Sequence, residues 1–466
     1  MYFYKRIFER TDNILNSKAV DIFENAPIPK AVMVNIIPSI ISMLMVLVYN
    51  LADTFFIGQT KNAYMVAAVS LATPAFLLFM AVGMLFGIGG TSLISRLLGE
   101  GKSEKALNAC SFCFWTSSAV GIIGMLIMLL GADSIAKIVG ATPDTYDYVV
   151  EYLKIVAYGV PFLVLSNAFS SIIRAEGKAS KAMAGMIIGN MANIILDPIM
   201  IMGMEMNVGG AAAATTIGNV LSAVFYIIHF VSGRSMLTIH PKFYKAGNGI
   251  AVGILAIGIP ASLNSILMSV SNVVINNLMT NHGDMAVAGL GVAMKVNMIA
   301  VMLLIGLGTG IQPLLGYNFG AGNRKRFLGV LKFSIILAVS LSLVMTVICY
   351  AGAGPMVSAF LEEPSAYDYG MQFARIYIIS GPILGILFVM INTIQSMGAA
   401  LPSLILSISR QGLLFMPVLF IFNKVFGTAR SLAMAQPVTD YLAAALSVIL
   451  AVVAFKKYFR ERKENV

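Results

Sequence analysis

The chain has 466 residues, is 58% hydrophobic and only 11% charged, with a mean hydropathy of +0.86 and a formal net charge of +10. A water-soluble chain of this length would divide into domains with charged surfaces, and this composition excludes that. Apolar runs long enough to cross ~30 Å of hydrocarbon as helices recur along almost the whole sequence, and the short alternating strands of a membrane barrel are missing.

In chain order the predicted spans are α1 (31–58), α2 (63–88), α3 (107–131), α4 (146–173), α5 (180–204) and α6 (209–232). They continue with α7 (250–280), α8 (285–312), α9 (325–351), α10 (369–396), α11 (401–425) and α12 (429–455). The expected fold is an all-α integral membrane protein of twelve transmembrane helices in two six-helix bundles. An even number of crossings puts both chain ends on one side. With that side inside, the inner segments carry twenty-three Lys and Arg, among them Lys5, Arg6, Arg10, Lys18 and Lys30 before α1. The outer loops carry four: Lys61, Lys137, Lys424 and Arg430. Such a bias orients the protein with both termini cytoplasmic. It also accounts for the net charge without a nucleic-acid partner. The first 30 residues lack the apolar core of a signal peptide, so α1 is expected to serve as an uncleaved insertion signal in a cytoplasmic membrane.

Three cysteines, Cys110, Cys113 and Cys349, suggest no disulfide framework. Cys110 and Cys113 form a lone CxxC without a second ligand pair, so a metal site is not expected.

The two halves match at a near-constant offset. Ile37-Pro38 pairs with Ile259-Pro260; Gly87, Gly89, Gly99 and Gly101 pair with Gly308, Gly310, Gly320 and Gly322; Pro161 pairs with Pro382, and Gly177 with Gly398. The offset is 222 for the first pair and 221 for the rest. Glycine and proline punctuate helices, so shared placement implies shared backbone geometry. Six helices per half makes these parallel repeats about an axis along the membrane normal, an architecture of transporters that rock two halves around a central site. The expected organisation is an N-terminal segment 1–30, a first half 31–232, an inner linker 233–249, a second half 250–455 and a basic tail 456–466.

Several stretches resemble the multidrug and toxic compound extrusion (MATE) family, in its DinF-like branch of MepA type. These are YNLADTFFIG at 49–58, RAEGKASKAM at 174–183, NMANIILDP at 190–198, GAAAAT at 210–215 and IQPLLGYNFGAG at 311–322. The resemblance covers nearly the whole chain. It departs from NorM-like members, which carry acids in helices 7 and 10; here the cores of α7 and α10 have none, so that coupling site is not carried over.

An acid within a membrane helix is costly and marks a functional site by default. Asp53 lies in the outer part of α1, with Tyr49 and Asn50 one turn earlier on its face. Asp197 lies in α5, with Asn193 and Asn190 one and two turns earlier, and Pro198 beside it frees a backbone carbonyl. Both helices run outward, so both acids are expected to converge in one polar pocket of the first half. The resemblance implies the same pocket, adds Thr215 of α6, and implies that α1 bends at Pro38 when the acid is protonated. The plainer readings are a helix-capping Asp53, Asn190, Asn193 and Asp197 as interhelical glue, and Pro38 as a static kink. Burial disfavours the charged form of a carboxyl, so such a group takes a proton outside and yields it when its surroundings become wetter or a cation approaches. With Asn and Thr oxygens it equally suits Na⁺. The expected coupling ion is H⁺ or Na⁺, the latter at Asp53, Asn193, Asp197 and Thr215, with no other cofactor.

A substrate cavity is expected from Asn167 in α4, Asn272 and Asn276 in α7, Met294 and Met298 in α8, and Asn392 and Gln395 in α10. The methionines belong to a stripe, Met294, Met298 and Met302, whose flexible thioethers suit varied ligands or simply pack helices. Arg410 and Asp440 are expected to pair as a structural element, and Lys154 and Arg375 to snorkel. The resemblance implies a monomeric exporter of organic cations and drugs in a lipid bilayer. The rival within the superfamily is a lipid-linked oligosaccharide flippase, whose cavity needs many cations for pyrophosphate; the central helices hold few. No Walker A, HExxH or nucleophile-elbow sequence points to an ATP-driven pump or an enzyme.

Overall fold

A computed structural model describes residues 18–59 and 62–464. Lys5, Arg6, Arg10 and Lys61, and the last two residues of the expected tail, lie outside the described residues. All regular structure among the described residues is helical. Eleven helices are long and apolar enough to cross a membrane, and one bent pair makes a twelfth. They are α1 (Ile28–Gly58), α2 (Ala63–Gly99), α3 (Ser103–Ile138), α4 (Tyr146–Ala175), α5 (Ala179–Pro198) and α6 (Asn207–Val231). The second half holds α7 (Ile250–Thr280), α8 (Asp284–Gly320), α9 (Arg324–Ala351), the bent α10 (Pro364–Ile378 and Gly381–Ser396), α11 (Ala400–Ile408 through Phe415–Phe426) and α12 (Ala429–Glu464).

Three differences from the sequence expectation bear on how the halves pack. First, α2 and α8 are longer, 37 residues each. At 1.5 Å per residue each reaches ~55 Å, well past the hydrocarbon. Their extensions stay helical because each packs on the other half: a β-carbon at Gly99 would overlap the Tyr317 carbonyl, and one at Gly320 the Arg96 carbonyl. Second, α10 is broken, with a 51° bend between its two pieces. Pro382 has no N–H for the Ile378 carbonyl, and the chain turns at Ile379 and Ser380. Third, the fifth helix of each half contains a π turn, at Ile199–Gly203 after α5 and at Ser409–Leu414 within α11.

The repeat is visible in the backbone. Gly101 and Gly322 have φ of 70° and 69°, and Gly177 and Gly398 have φ of 77° and 71°. These glycines end α2, α8, α4 and α10 in the left-handed conformation that side chains disfavour. The reciprocal contact of Gly99 with Tyr317 and Gly320 with Arg96 is what a two-fold between the halves produces.

The halves meet along a glycine seam near the face that carries the chain ends. Gly306 and Gly310 of α8 pack directly on the α1 backbone at Ser39-Ile40 and Asn35-Ile36, on either side of Pro38. Gly89 of α2 packs on the Ile254 carbonyl of α7, and Gly258 of α7 on the Leu85 carbonyl of α2. Farther along, Ser265 Oγ donates to Met84 Sδ at 3.5 Å. Beyond that level Asn272, Leu77 and Leu78 are exposed. The glycine seam closes this face.

A short helix before α1, Lys18–Glu24, crosses to the second half. Arg326 Nε donates to the Phe23 carbonyl at 2.6 Å, and Arg326 Nη2 to those of Ile22 and Ala26 at 3.1 and 2.7 Å. Tyr317 donates to Glu24, and the Phe23 ring lies 5.4 Å from that of Tyr317. Phe455 and Phe459 of α12 pack on Phe327 at the same corner, one ring tilted at 31° and the other edge-on at 68°.

Candidate functional site

Four helices build a polar pocket inside the first half. α1 supplies Tyr49 and Asp53; α5 supplies Asn190, Asn193 and Asp197; α6 supplies Thr215; and α4 supplies Tyr152, which sequence reasoning missed. Asp197 is fully buried (0% exposed), and Asn193, Thr215 and Tyr152 are buried beside it. The Asn193 amide bridges α5 and α6. One of its terminal atoms lies 3.1 Å from Thr215 Oγ1 and the other 2.9 Å from Asp197 Oδ2. Tyr49 lies beside Thr215, and both Tyr49 and Tyr152 lie within the field of Asp53 and Asp197. The two acids also act on each other.

The pocket contains unfilled hydrogen-bonding capacity. Asp197 Oδ1 is buried with no donor among the described residues, and so is Asn190 Nδ2 without an acceptor. Asp53 sits within α1, five residues before its last residue, Gly58, rather than at a cap, and it is partly open. The local reason for the pocket is backbone irregularity. Pro198 follows Asp197 and leaves the Ile194 carbonyl without its helical N–H, and the chain enters the π turn directly afterwards. Such turns recur at functional sites.

The expected substrate-cavity residues are dispersed. Asn272 is exposed and Asn276, Met294 and Met298 are half-buried. Asn392 is buried, donates to the Phe388 carbonyl at 2.9 Å and packs against Gly308. Gln395 is buried, and its carbonyl accepts from Ser92 of α2. Asn167 bonds back to the Leu163 carbonyl at 2.9 Å and lies on Gly83. Lys295 is exposed over the Phe360 ring, and Arg375 lies over Tyr350. Arg410 and Asp440 do pair, at 3.4 Å.

A second buried acid, Glu176, sits at the end of α4 (0% exposed). It accepts from Ser235 Oγ at 2.7 Å and Met236 N at 2.9 Å, lies 2.7 Å from His229 Nε2, and pairs with Lys178 at 3.5 Å. These bonds fix the start of the linker to the first half. The linker then runs over α3, where Ser111 and Trp115 donate to the His240 and Ile239 carbonyls. Within RAEGKASKAM the glutamate reads as a loop residue, and its repeat partner is Met397, so no duplicated pattern flags it.

The MatE family model matches the chain twice, at residues 38–199 and 260–421, once in each half. Among curated proteins, the multidrug export protein MepA of Staphylococcus haemolyticus is 35% identical over 90% of this chain and 93% of that protein. MepA of Staphylococcus aureus is 34% identical over 87% of this chain and 89% of that protein. Among solved structures, a MATE protein in complex with MaL6 superposes with a TM-score of 0.90 at 24% identity, over 96% of this chain and 100% of that one. An outward-facing conformation of a multidrug resistance MATE family transporter of the MOP superfamily gives 0.89, also at 24% identity, over 96% and 99%. Two family-model matches spanning both halves, and curated relatives aligned nearly end to end, establish that this multi-pass membrane chain belongs to the multidrug and toxic compound extrusion family of transporters.

Proposed function

We propose that the protein exports organic cations across the cytoplasmic membrane by proton-coupled antiport, with both termini cytoplasmic, and that the first-half pocket carries the proton. One observation carries the reading: Asp197 is fully buried with one oxygen unpaired, facing an amide that serves either protonation state. When Asp197 is ionised, the Asn193 NH₂ donates to Oδ2 and the Asn193 oxygen accepts from Thr215. When Asp197 is protonated, its O–H donates to the Asn193 oxygen and the NH₂ turns to Thr215 Oγ1. A half-turn of one amide therefore follows one proton. An ionised carboxylate with a bare buried oxygen is costly, which favours neutralisation by a proton or by a cation.

Asp53, the more exposed of the two acids, is the natural relay to Asp197. Pro38 lies between the two glycine contacts of α1, where a change of helix bend would break the seam. The relatives' name supports multidrug substrates. Na⁺ is the alternative coupling ion, held by Asp53, Asp197, Asn193 and Thr215.

The test is efflux of ethidium from membrane vesicles under separate H⁺ and Na⁺ gradients. Asp197→Asn and Asp53→Asn are expected to abolish gradient-driven export while the protein remains folded. Antiport at the parental rate by both variants would sink the proton-carrier role. Export driven by Na⁺ alone would replace the proton by Na⁺, and no export under either gradient would reject the function.

A further inference from the structure

The second half has a buried charged site of its own. Arg410 and Asp440 are 7% and 1% exposed. Arg410 is ten residues past Ala400, the first residue of α11, and Asp440 eleven past Ala429, the first of α12. At the repeat offset of 221 their counterparts in the first half are Gly189 and Asn219, neither of them charged. The first-half helices close tightly there: a β-carbon on Gly218, beside Asn219, would fall 2.7 Å from the Gly189 carbonyl oxygen. The duplicated helix pair therefore closes with no charge in it. Burying two ions where a glycine and an asparagine suffice is expensive, and such pairs are a poor source of stability.

The pair is also badly made for a structural role. Its one contact is a single Nη2 to Oδ1 approach of 3.4 Å, far from the two-pronged geometry that guanidinium and carboxylate adopt. Asp440 Oδ1 is shared with Gln436 Nε2 at 3.1 Å, and Ser380 lies beside the same carboxylate. Arg410 Nε is buried with no acceptor. Nothing among the described residues accepts from Nη1 either. The guanidinium lies 5.3 Å from the Phe388 ring, a face that orients it without consuming its donors. Three backbone irregularities converge here: the break of α10 at Ser380, the π turn of α11 containing Arg410, and Pro437 within α12. Broken helices at mid-membrane are where transporters place ligand groups.

We propose that Arg410 is a second binding point, for the carboxylate of a zwitterionic substrate, with Asp440 as the internal counter-ion that holds the guanidinium until a better acceptor arrives. The incoming carboxylate accepts from N–H groups of Arg410 that the described residues leave without an acceptor. The first-half acids favour a cation and Arg410 an anion, so the two halves divide the charges of a zwitterion between them. This rests on the multidrug-export reading for its substrate class.

The test uses rhodamine B, which has a free carboxylate, and its ethyl ester, the same fluorophore without it. Equilibrium binding to the purified full chain in detergent is read by fluorescence anisotropy, and export by vesicle efflux. In the neutral pair Arg410→Gln/Asp440→Asn, rhodamine B affinity is expected to fall about tenfold, with the ester unchanged. Asp440→Asn alone removes the competing acceptor, so rhodamine B is expected to bind more tightly and the ester equally. Equal losses for both dyes, no loss for either, or weaker rhodamine B binding by Asp440→Asn would overturn the proposal. Because binding is read apart from transport, a parent protein that binds rhodamine B through Arg410 yet exports neither dye would reject the export reading and leave the site standing.

Discussion

Gly306→Ala tests whether the glycine seam sets the conformational balance. A β-carbon there would lie 2.7 Å from Ile40 Cα and 3.0 Å from both Ile40 N and the Ser39 oxygen. All three are backbone atoms, so no rotamer change relieves them. Ordinary contact begins at 3.4 Å, so α1 and α8 must separate by at least 0.7 Å, the difference between 3.4 and 2.7. Overpacking of this kind costs about 1–3 kcal/mol. The cost falls only on the state in which this face is closed, because the seam parts when the other state forms. The closed population relative to the open one should therefore drop by about 5- to 150-fold. Spin labels at the exposed positions Lys102 and Lys325, one in each half, report the separation by double electron–electron resonance. Gly291→Ala on the same helix is the control, since its β-carbon meets nothing within 4 Å. A distance distribution identical to that of the parent and the control would refute the argument.

Three further outcomes follow from the contacts at the terminal face. Arg326→Ala removes the donor to three carbonyls of the N-terminal helix and should cost about 1–2 kcal/mol, since water replaces part of what is lost; thermal unfolding and protease cleavage of the released helix read it. Glu176→Gln should destabilise the first half by about 3 kcal/mol, because Lys178 loses its carboxylate partner and an amide cannot accept at both oxygen positions as Glu176 does; the expected signs are a lower melting temperature and faster trypsin cleavage at Lys242 and Lys245. Gly398→Ala combines a φ of 71° with overlap on the Arg96 guanidinium, and should lower both stability and export, whereas Gly322→Ala, with a similar φ and open space around it, should cost about 1 kcal/mol.

The twelve spans were legible because lipid imposes hydropathy on every crossing, and the repeat because glycine and proline dictate backbone geometry directly. The ends of α2 and α8 were not, since their polar tips are helical only by packing on the opposite half. Equivalent prolines also behave differently: α4 runs straight through Pro161, whereas α10 breaks before Pro382, where Gly381 lies against Thr346 and Ser380 bonds the Tyr377 carbonyl. That difference lies in neighbours, which one helix's sequence does not contain. Asp53, Asn193 and Asp197 stood out as polar residues in apolar helices. Tyr152 did not, because an aromatic residue in a membrane helix is unremarkable until the fold brings it to the acids. Asn392 looked like a cavity residue for the same reason the acids did, but its amide is spent on its own helix.

The N-terminal helix has a consequence for biosynthesis. It is made before α1, yet its anchor Arg326 follows Phe23 by 303 residues. Phe455 and Phe459 of α12 reach the same corner later still. Until α9 has been synthesised, the helix that carries Phe23 lacks the guanidinium that holds it. A chain stopped before α12 would leave Phe327 without two of the rings that pack on it, so this corner closes only after the other spans have been made.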